Sequence, residues 1–119
     1  MTIEGENRTT MDAETRRWIE LIECGEYFTA HEVLEDVWRA ASPDERDFFQ
    51  GLVHVAVAWY QAERGNRVGC GRQLEKAARR LSSYSPVHRG LDVADLVDQV
   101  RVAAVRIPDL PEPRFRWMA

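Results

Sequence analysis

Apolar residues recur at helical spacing along most of the chain, and each such repeat predicts a helix with one face turned to a core. The first helix begins at a capping residue, Thr10 or Asp12, and ends near Gly25. The second helix runs from about Phe28 to Ala40. Its apolar stripe consists of Val33, Leu34, Val37 and Trp38.

The sequence Ser42-Pro43-Asp44-Glu45 separates the second helix from the third. It has the form of a capping box with proline at the first helical position. The serine hydroxyl and the Glu45 carboxylate would then accept hydrogen bonds from backbone N–H groups at the helix start. The third helix, about Pro43 to Arg64, is apolar around much of its circumference, which is typical of a central helix.

Two further helices follow a turn at Gly65-Asn66. The fourth spans about Val68 to Ser83, and the fifth begins at Asp92. Valines lower the helix propensity of the fifth segment, so a strand is the competing prediction, but the chain offers no partner strand. The pattern therefore predicts an all-α fold: a single-domain helical bundle of about five helices, arranged as antiparallel helical hairpins over residues 11–107.

The two ends of the chain differ from this helical domain. Residues 1–10 are polar and acidic, and we expect them to form a flexible N-terminus. Residues 108–119 should form an extended C-terminal tail, because prolines interrupt the helix there. The tail ends in Phe115-Arg116-Trp117, and we expect it to pack on its own domain rather than on another chain.

Composition narrows the class of protein. A chain of 119 residues with 45% hydrophobic and 30% charged residues is typical of one globular domain. Its net charge of −4 argues against nucleic acid as a partner. The start of the chain lacks the features of a signal peptide, and the apolar run 52–60 is too short to span a membrane. We therefore expect a cytoplasmic protein, with Cys24 and Cys70 as reduced core thiols.

Polar residues occupy a face of the second helix that the pattern turns inward. His31, Glu35 and Trp38 stand at positions i, i+4 and i+7, which share one helix face. A short turn to the third helix should place Glu35 opposite Gln50 and His31 opposite His54. We therefore predict a polar cluster between helices 2 and 3, with Trp38 as its roof. Its members are His31, Glu32, Glu35, Trp38, Gln50 and His54.

Burying a charged group is costly unless it has a partner. Three interpretations of this cluster, each with a different partner, stay open. It can be a hydrogen-bonded network that fixes the register of the hairpin. It can be a recognition site in which an aromatic wall and polar groups bind a small ligand or a partner. Finally, His31-Glu32-x-x-Glu35 resembles the HExxH zinc helix, with Glu35 in place of the second histidine and His54 as a further ligand.

Magnesium chemistry is a related alternative. In helical nucleotide pyrophosphohydrolases, acidic residues of neighbouring helices hold magnesium around a phosphate chain, and Glu32, Glu35 and Asp36 would supply half of such a site. The facing helix offers only Asp44 and Asp47 near its exposed start, which argues against this interpretation.

Three sequence motifs carry a resemblance to a known family. They are the run from Phe28 to Arg39 with its HE-x-x-E-x-x-W pattern, the Phe49-Gln50-Gly51-Leu52 element, and Arg64-Gly65-Asn66 followed by Gly69. Together they resemble the uncharacterised prokaryotic proteins of domain-of-unknown-function family 309. The resemblance implies an all-helical fold and no activity. The family's signature positions correspond to His31, Glu32, Glu35, Trp38, Gln50, Gly51, Gly65 and Asn66.

The sequence as a whole favours a non-enzymatic binding or interaction module without a cofactor, whose partner is an unidentified protein or small ligand. The alternative is a metal-dependent hydrolase in which His31, Glu35 and His54 bind a divalent metal and Glu32 acts as the base. The oligomeric state is left open, with a homo-oligomer among the alternatives.

Overall fold

The computed structural model describes residues 3–118, with side chains described from residue 13 onward. This part of the chain contains five α-helices and one short hairpin, so the predicted all-α bundle is confirmed. The helices are α1 (Ile3–Glu23), α2 (Tyr27–Ala40), α3 (Pro43–Glu63), α4 (Arg67–Leu81) and α5 (Val93–Arg106). A single 3₁₀ turn, Ser82–Tyr84, and the strands β1 (Val87–His88) and β2 (Leu91–Asp92) connect α4 to α5.

The first helix extends further toward the N-terminus than the sequence predicts. It begins at Ile3, ahead of the caps proposed at Thr10 and Asp12. Whether residues 1–10 are flexible is a separate property and stays a prediction. The turns after α1 and α3 agree with the sequence, since Gly25 and Gly65 adopt φ angles of +80° and +78° there. Residues with a side chain rarely adopt this left-handed conformation, which closes a helix.

The third helix is the centre of the bundle, with α2 on one side and α4 on the other. Its buried residues follow one another around the helix rather than along one stripe, as the sequence predicts. They are Phe48, Phe49, Gly51, Leu52, Val55, Ala56, Ala58 and Trp59. The first helix packs on α2 and the fifth on α4, which completes the antiparallel hairpins.

The start of α3 differs from the predicted capping box. Pro43 is the first helical residue as expected, but the Ser42 side chain makes no capping hydrogen bond. The Glu45 carboxylate instead accepts hydrogen bonds from His88 Nε2 at 2.7 Å and Arg89 Nε at 2.6 Å. The helix boundary is confirmed and the capping box is wrong, because Glu45 pairs with the charged Arg89 and with His88 instead of a backbone N–H.

Residues 87–92 form a hairpin where the sequence predicts only a loop. Arg89 and Gly90, with φ angles of 51° and 80°, are the two turn residues, as in a tight type I′ hairpin. The His88 ring packs edge-on against Phe48, with 4.6 Å between ring centroids. The hydrogen bonds to Glu45 and the packing of His88 on Phe48 therefore hold the hairpin on the N-terminal end of α3.

The C-terminal tail lies on the helices and covers two core tryptophans. The rings of Trp18 and Phe115 meet edge to face with centroids 4.8 Å apart. The indole N–H of Trp59 donates a hydrogen bond of 3.1 Å to the carbonyl oxygen of Pro111. Tail and helices thus share one hydrophobic core.

Hydrogen bonds to the backbone of the tail also hold it in place. Gln99 of α5 donates its side-chain N–H to the carbonyl oxygen of Arg114 at 2.5 Å and accepts the N–H of Arg114 at 2.8 Å. The amide side chain therefore pairs with the tail as a neighbouring strand would. Further along, Trp117 forms an isolated bridge with Leu91 of β2.

The two cysteines lie in different environments. Cys70 is buried in α4, where burial raises the pKa of its thiol. Cys24 is exposed in the turn after α1. The prediction of a core thiol is therefore confirmed for Cys70 and wrong for Cys24. Within residues 3–118, no helix combines the length and the apolar character needed to cross a membrane.

Candidate aromatic pocket between the second and third helices

A line of charged side chains runs along the outer surface of α2. The His31 Nε2 atom lies 3.0 Å from Glu35 Oε1, and Arg39 approaches Glu35 at 3.6 Å and Asp36 at 3.5 Å. The His31 and Glu35 side chains are 24% and 39% exposed, so water reaches both. An ion pair in such a position contributes at most about 1 kcal/mol to stability. Helical spacing and exposure, rather than a buried network, account for this pairing.

Beside this line, α2 and α3 enclose a pocket of about 200 Å³, which we call the aromatic pocket. Phe28 stands at its edge, with its ring centroid 5.6 Å from that of Tyr60 and 5.7 Å from that of His31. Phe28 is 52% exposed, which is unusual for so large an apolar side chain. The residues that line the pocket are Tyr27, Phe28, His31, Val57, Tyr60 and Gln61.

The position of His31 on the hairpin differs from the predicted register. His31 shares the aromatic pocket with Val57 and Tyr60, about one helical turn beyond the expected neighbour His54. His54 is turned to α4, where its Nδ1 atom lies 2.7 Å from Gln73 Oε1. Burial lowers the pKa of His54, which favours the neutral ring. The structure thus brings His31 and Glu35 together and directs His54 elsewhere.

The remaining residues of the predicted cluster are dispersed. Glu32 is exposed, whereas Trp38 is half-buried against the core. Gln50 is half-buried, with no hydrogen bond to any described residue. Among the side chains of residues 13–118, no three His, Cys, Asp or Glu are grouped so that they could hold a metal ion. The HExxE helix therefore lacks a third ligand in the described part of the chain.

Charged side chains of both signs lie near the two tyrosines of the aromatic pocket. The pKa of Tyr27 is raised mainly because the hydroxyl is partly buried, and further because Glu63 and Glu112 are nearby. The guanidinium carbon of Arg64 lies 5.4 Å from the ring centroid of Tyr60. An aromatic face of this pocket thus already attracts one cation.

Sequence reasoning did not find this pocket because it searched for polar side chains. The sequence pattern assigns Tyr60 to the apolar circumference of the third helix, and Phe28 marks the predicted start of the second. A signal was present, since Tyr27 and Phe28 begin α2 and Tyr60 stands near the end of α3. In an antiparallel hairpin these two ends meet, so aromatic residues at both predict an aromatic contact.

A second, larger cleft of about 1040 Å³ lies between the α1–α2 turn, α5 and the tail. Its charged lining residues include both acids and arginines, so the cleft favours neither an anionic nor a cationic ligand. They are Glu23, Asp95, Glu112, Arg114 and Arg116. Tyr27 lines both this cleft and the aromatic pocket.

Comparison with known proteins tests the resemblance seen in the sequence. Residues 15–72 match the family model described as "Domain of unknown function (DUF309)". The resemblance to DUF309 is confirmed. Every residue that lines the aromatic pocket lies within the DUF309 match, whereas α5 and the tail lie outside it.

Two curated relatives share part of this chain. "Uncharacterized protein YpuF" of Bacillus subtilis (strain 168) is 32% identical over 68 residues, which cover 56% of this chain and 37% of that protein. An "Uncharacterized protein" of Aquifex aeolicus (strain VF5) is 25% identical over 73 residues, which cover 60% of this chain and 22% of that protein. The chain thus spans well under half the length of either relative, and the DUF309 similarity carries no activity.

Proposed function

We propose that this protein is a non-enzymatic interaction module that binds a partner protein through the aromatic pocket. The observation that carries the proposal is Phe28, a large apolar side chain that is 52% exposed beside a preformed pocket. Exposed apolar groups next to a cavity, with polar groups around them, are typical of protein interaction sites.

The size of the pocket favours a protein partner over a free small molecule. Sites for drug-sized ligands usually enclose about 300–1,000 Å³. The aromatic pocket, at about 200 Å³, has room for a single side chain. A partner that inserts one side chain would meet His31 and Glu35 at the rim. In many protein interfaces a few central, tightly packed side chains supply most of the binding energy, and the contacts around them mainly exclude water.

The position of the pocket within the matched range supports the same proposal. All its lining residues lie within residues 15–72, the part that this chain shares with DUF309. The two curated relatives match this chain over only part of their own longer chains. A recognition surface that lies within the matched range is what we would expect of a module that occurs next to different neighbouring sequences.

Other expectations stay predictions. The metal-dependent hydrolase based on His31, Glu32, Glu35 and His54 has no support among the described side chains, since no three possible ligands are grouped there. The cytoplasmic location, the absence of a cofactor and the possible homo-oligomer likewise stay predictions.

The proposal can be tested by selecting binders from a random peptide library displayed on phage. Peptides that bind the purified protein should lose about 30-fold in affinity when Phe28 is replaced by alanine, as expected for an anchor worth about 2 kcal/mol. Val105→Ala is the matched control, because Val105 is 85% exposed on α5 and does not line the pocket. Since Phe28 is half exposed, Phe28→Ala should keep the fold, which a circular dichroism melt checks.

Two results would contradict the proposal. One is that no peptide is enriched over a selection without protein. The other is that the enriched peptides bind the wild type and Phe28→Ala equally well, which would place their contacts outside the aromatic pocket.

A further inference from the structure

We infer that the aromatic pocket receives the alkylammonium side chain of a lysine on the partner. This inference rests on the proposed function and adds the chemistry of the bound group. It follows from the arrangement of three aromatic rings around one small pocket and from the charges beside them.

The ring geometry suits a compact cation. Phe28 is tilted by 50° to Tyr60 and by 49° to His31, with centroids within 6 Å in both pairs. Tyr27 lines the same pocket. A cation within about 6 Å of a ring centroid is attracted by the negative face of the ring. Since the rings are inclined to one another, a rounded ammonium group can contact several faces, whereas a planar guanidinium stacks on one.

The lining between the rings suits the stem of lysine. Val57 and the aromatic rings supply an apolar wall, and the described residues that line the pocket also include His31 and Gln61, which carry polar side chains. Lysine buries its methylene chain along such a wall while the charged head stays near polar groups. A pocket of about 200 Å³ has room for this one side chain.

The acidic side chains beside the pocket favour a cation, whereas one basic side chain competes with it. Arg64 lies 5.4 Å from the ring centroid of Tyr60, so this ring attracts a positive charge and Arg64 competes there with any second cation. On the α2 side, the exposed or half-exposed acids Glu32, Glu35 and Asp36 outnumber the single cation Arg39. Even with Arg64 counted, these acids outnumber the basic side chains beside the pocket, so a lysine side chain approaches net negative charge there.

The raised pKa of Tyr27 agrees with this, although burial is its main cause. The smaller contributions come from Glu63 and Glu112, whose negative charges act on the Tyr27 hydroxyl. The same charges would attract an ammonium group placed in the pocket.

The experiment compares three peptides, acetyl-Gly-Ser-Xaa-Ser-Gly-amide with lysine, norleucine or arginine at Xaa, by NMR titration of the full chain. Norleucine keeps the apolar stem of lysine and lacks the charge. We expect ring protons of Phe28 and Tyr60 to shift, and lysine to bind about 2- to 5-fold tighter than norleucine. Arginine should bind more weakly than lysine.

A substitution at Arg64 sharpens the contrast. Arg64→Gln removes a competing cation from Tyr60, so it should strengthen lysine binding and leave norleucine binding unchanged. Arg72→Gln is the matched control, because Arg72 is an exposed arginine of α4 that does not line the pocket and its replacement changes the net charge equally. The control should have less effect than Arg64→Gln.

The outcomes separate this inference from the proposed function. If norleucine binds as tightly as lysine and Phe28→Ala weakens it, the pocket takes an apolar anchor, so the lysine inference fails and the interaction module stands. If arginine binds most tightly, the inference fails for lysine in particular. If no peptide shifts the pocket residues, both proposals are overturned.

Discussion

The replacement of Gly51 by alanine tests the closest approach of α3 and α4. A Cβ atom added at Gly51 would lie 2.7 Å from Leu81 Cγ and 2.8 Å from Leu81 Cδ2. Carbon atoms in contact are normally about 3.5–4.0 Å apart. Leu81 is completely buried, so its side chain has no open space into which to move. The two helices must separate by about 1 Å or Leu81 must leave its rotamer.

The expected cost follows from two opposing terms. Overpacking of a core costs about 1–3 kcal/mol, and the contact with two carbons of a buried leucine places Gly51→Ala near the upper limit. Alanine is preferred over glycine within a helix by about 1 kcal/mol. We therefore expect a net loss of about 2 kcal/mol in the free energy of unfolding. For a domain of this size the melting temperature should fall by about 8 °C.

The assay is urea and thermal unfolding followed by circular dichroism, with Gly71→Ala as the matched control. Gly71 also lies within a helix, but its added Cβ would meet only Ile107 Cδ1 at 3.5 Å, an ordinary contact. This control should therefore be as stable as the wild type or up to about 1 kcal/mol more stable. If Gly51→Ala lowers the free energy of unfolding while Gly71→Ala raises it, the steric cost at Gly51 is separated from the general preference of a helix for alanine.

A double variant distinguishes strain from a general weakening of α3. Leu81→Ala removes both carbons that clash, at a cost of about 2–5 kcal/mol by itself. If the clash is the cause, Gly51→Ala with Leu81→Ala should cost less than the sum of the single changes by more than about 0.5 kcal/mol. A Gly51→Ala protein as stable as the wild type, or strictly additive costs, would refute the reasoning.

Three further predictions concern single side chains. The pKa of His54 is lowered from 6.5 by burial, so protonation favours the unfolded chain. The protein therefore keeps its full stability above about pH 6.5 and loses part of it as the pH falls toward the folded pKa of His54. His54→Gln should remove this loss from thermal melts measured between about pH 8 and pH 5. Glu45→Ala removes a carboxylate that accepts hydrogen bonds from two partly buried side chains and should cost about 2–3 kcal/mol in urea unfolding, whereas Glu75→Ala, an exposed change on α4, should stay within about 0.5 kcal/mol. Trp59→Phe removes the hydrogen bond to Pro111, and trypsin should cut the arginines of the tail faster.

Each of these has a clear negative result. An unchanged acid dependence in His54→Gln would show that other groups cause it. Equal costs for Glu45→Ala and Glu75→Ala would mean that the hairpin contributes nothing to stability. An unchanged cleavage rate in Trp59→Phe would mean that the other contacts of the tail are sufficient to hold it.

The helices could be predicted because their signal is local. The apolar residues of α3 surround the helix, and that pattern alone indicates a central position between neighbours. The glycines at positions 25 and 65 mark helix ends for an equally local reason, the backbone conformation that they adopt. The family motifs lie in these same segments, so fold and resemblance were predicted together.

The side-chain contacts depend on residues far apart in the sequence. Glu45 fits a capping box locally, but its partner His88 lies 43 residues away and competes successfully for the carboxylate. The register of His31 was misplaced by about one turn along α3, which was enough to separate it from His54 and to conceal its contact with Phe28. Helical periodicity predicts which face of a helix a residue occupies. Which residues of the neighbouring helix lie opposite it depends on the conformation of the connecting turn.

The tail contacts have a practical consequence for the choice of expression boundaries. The matched range ends at residue 72, within α4, yet Phe115 and Pro111 contact Trp18 and Trp59 inside that range. A fragment cut at the end of the match would present both indole rings to water and should aggregate. The foldable unit is therefore longer than the segment by which the family is recognised.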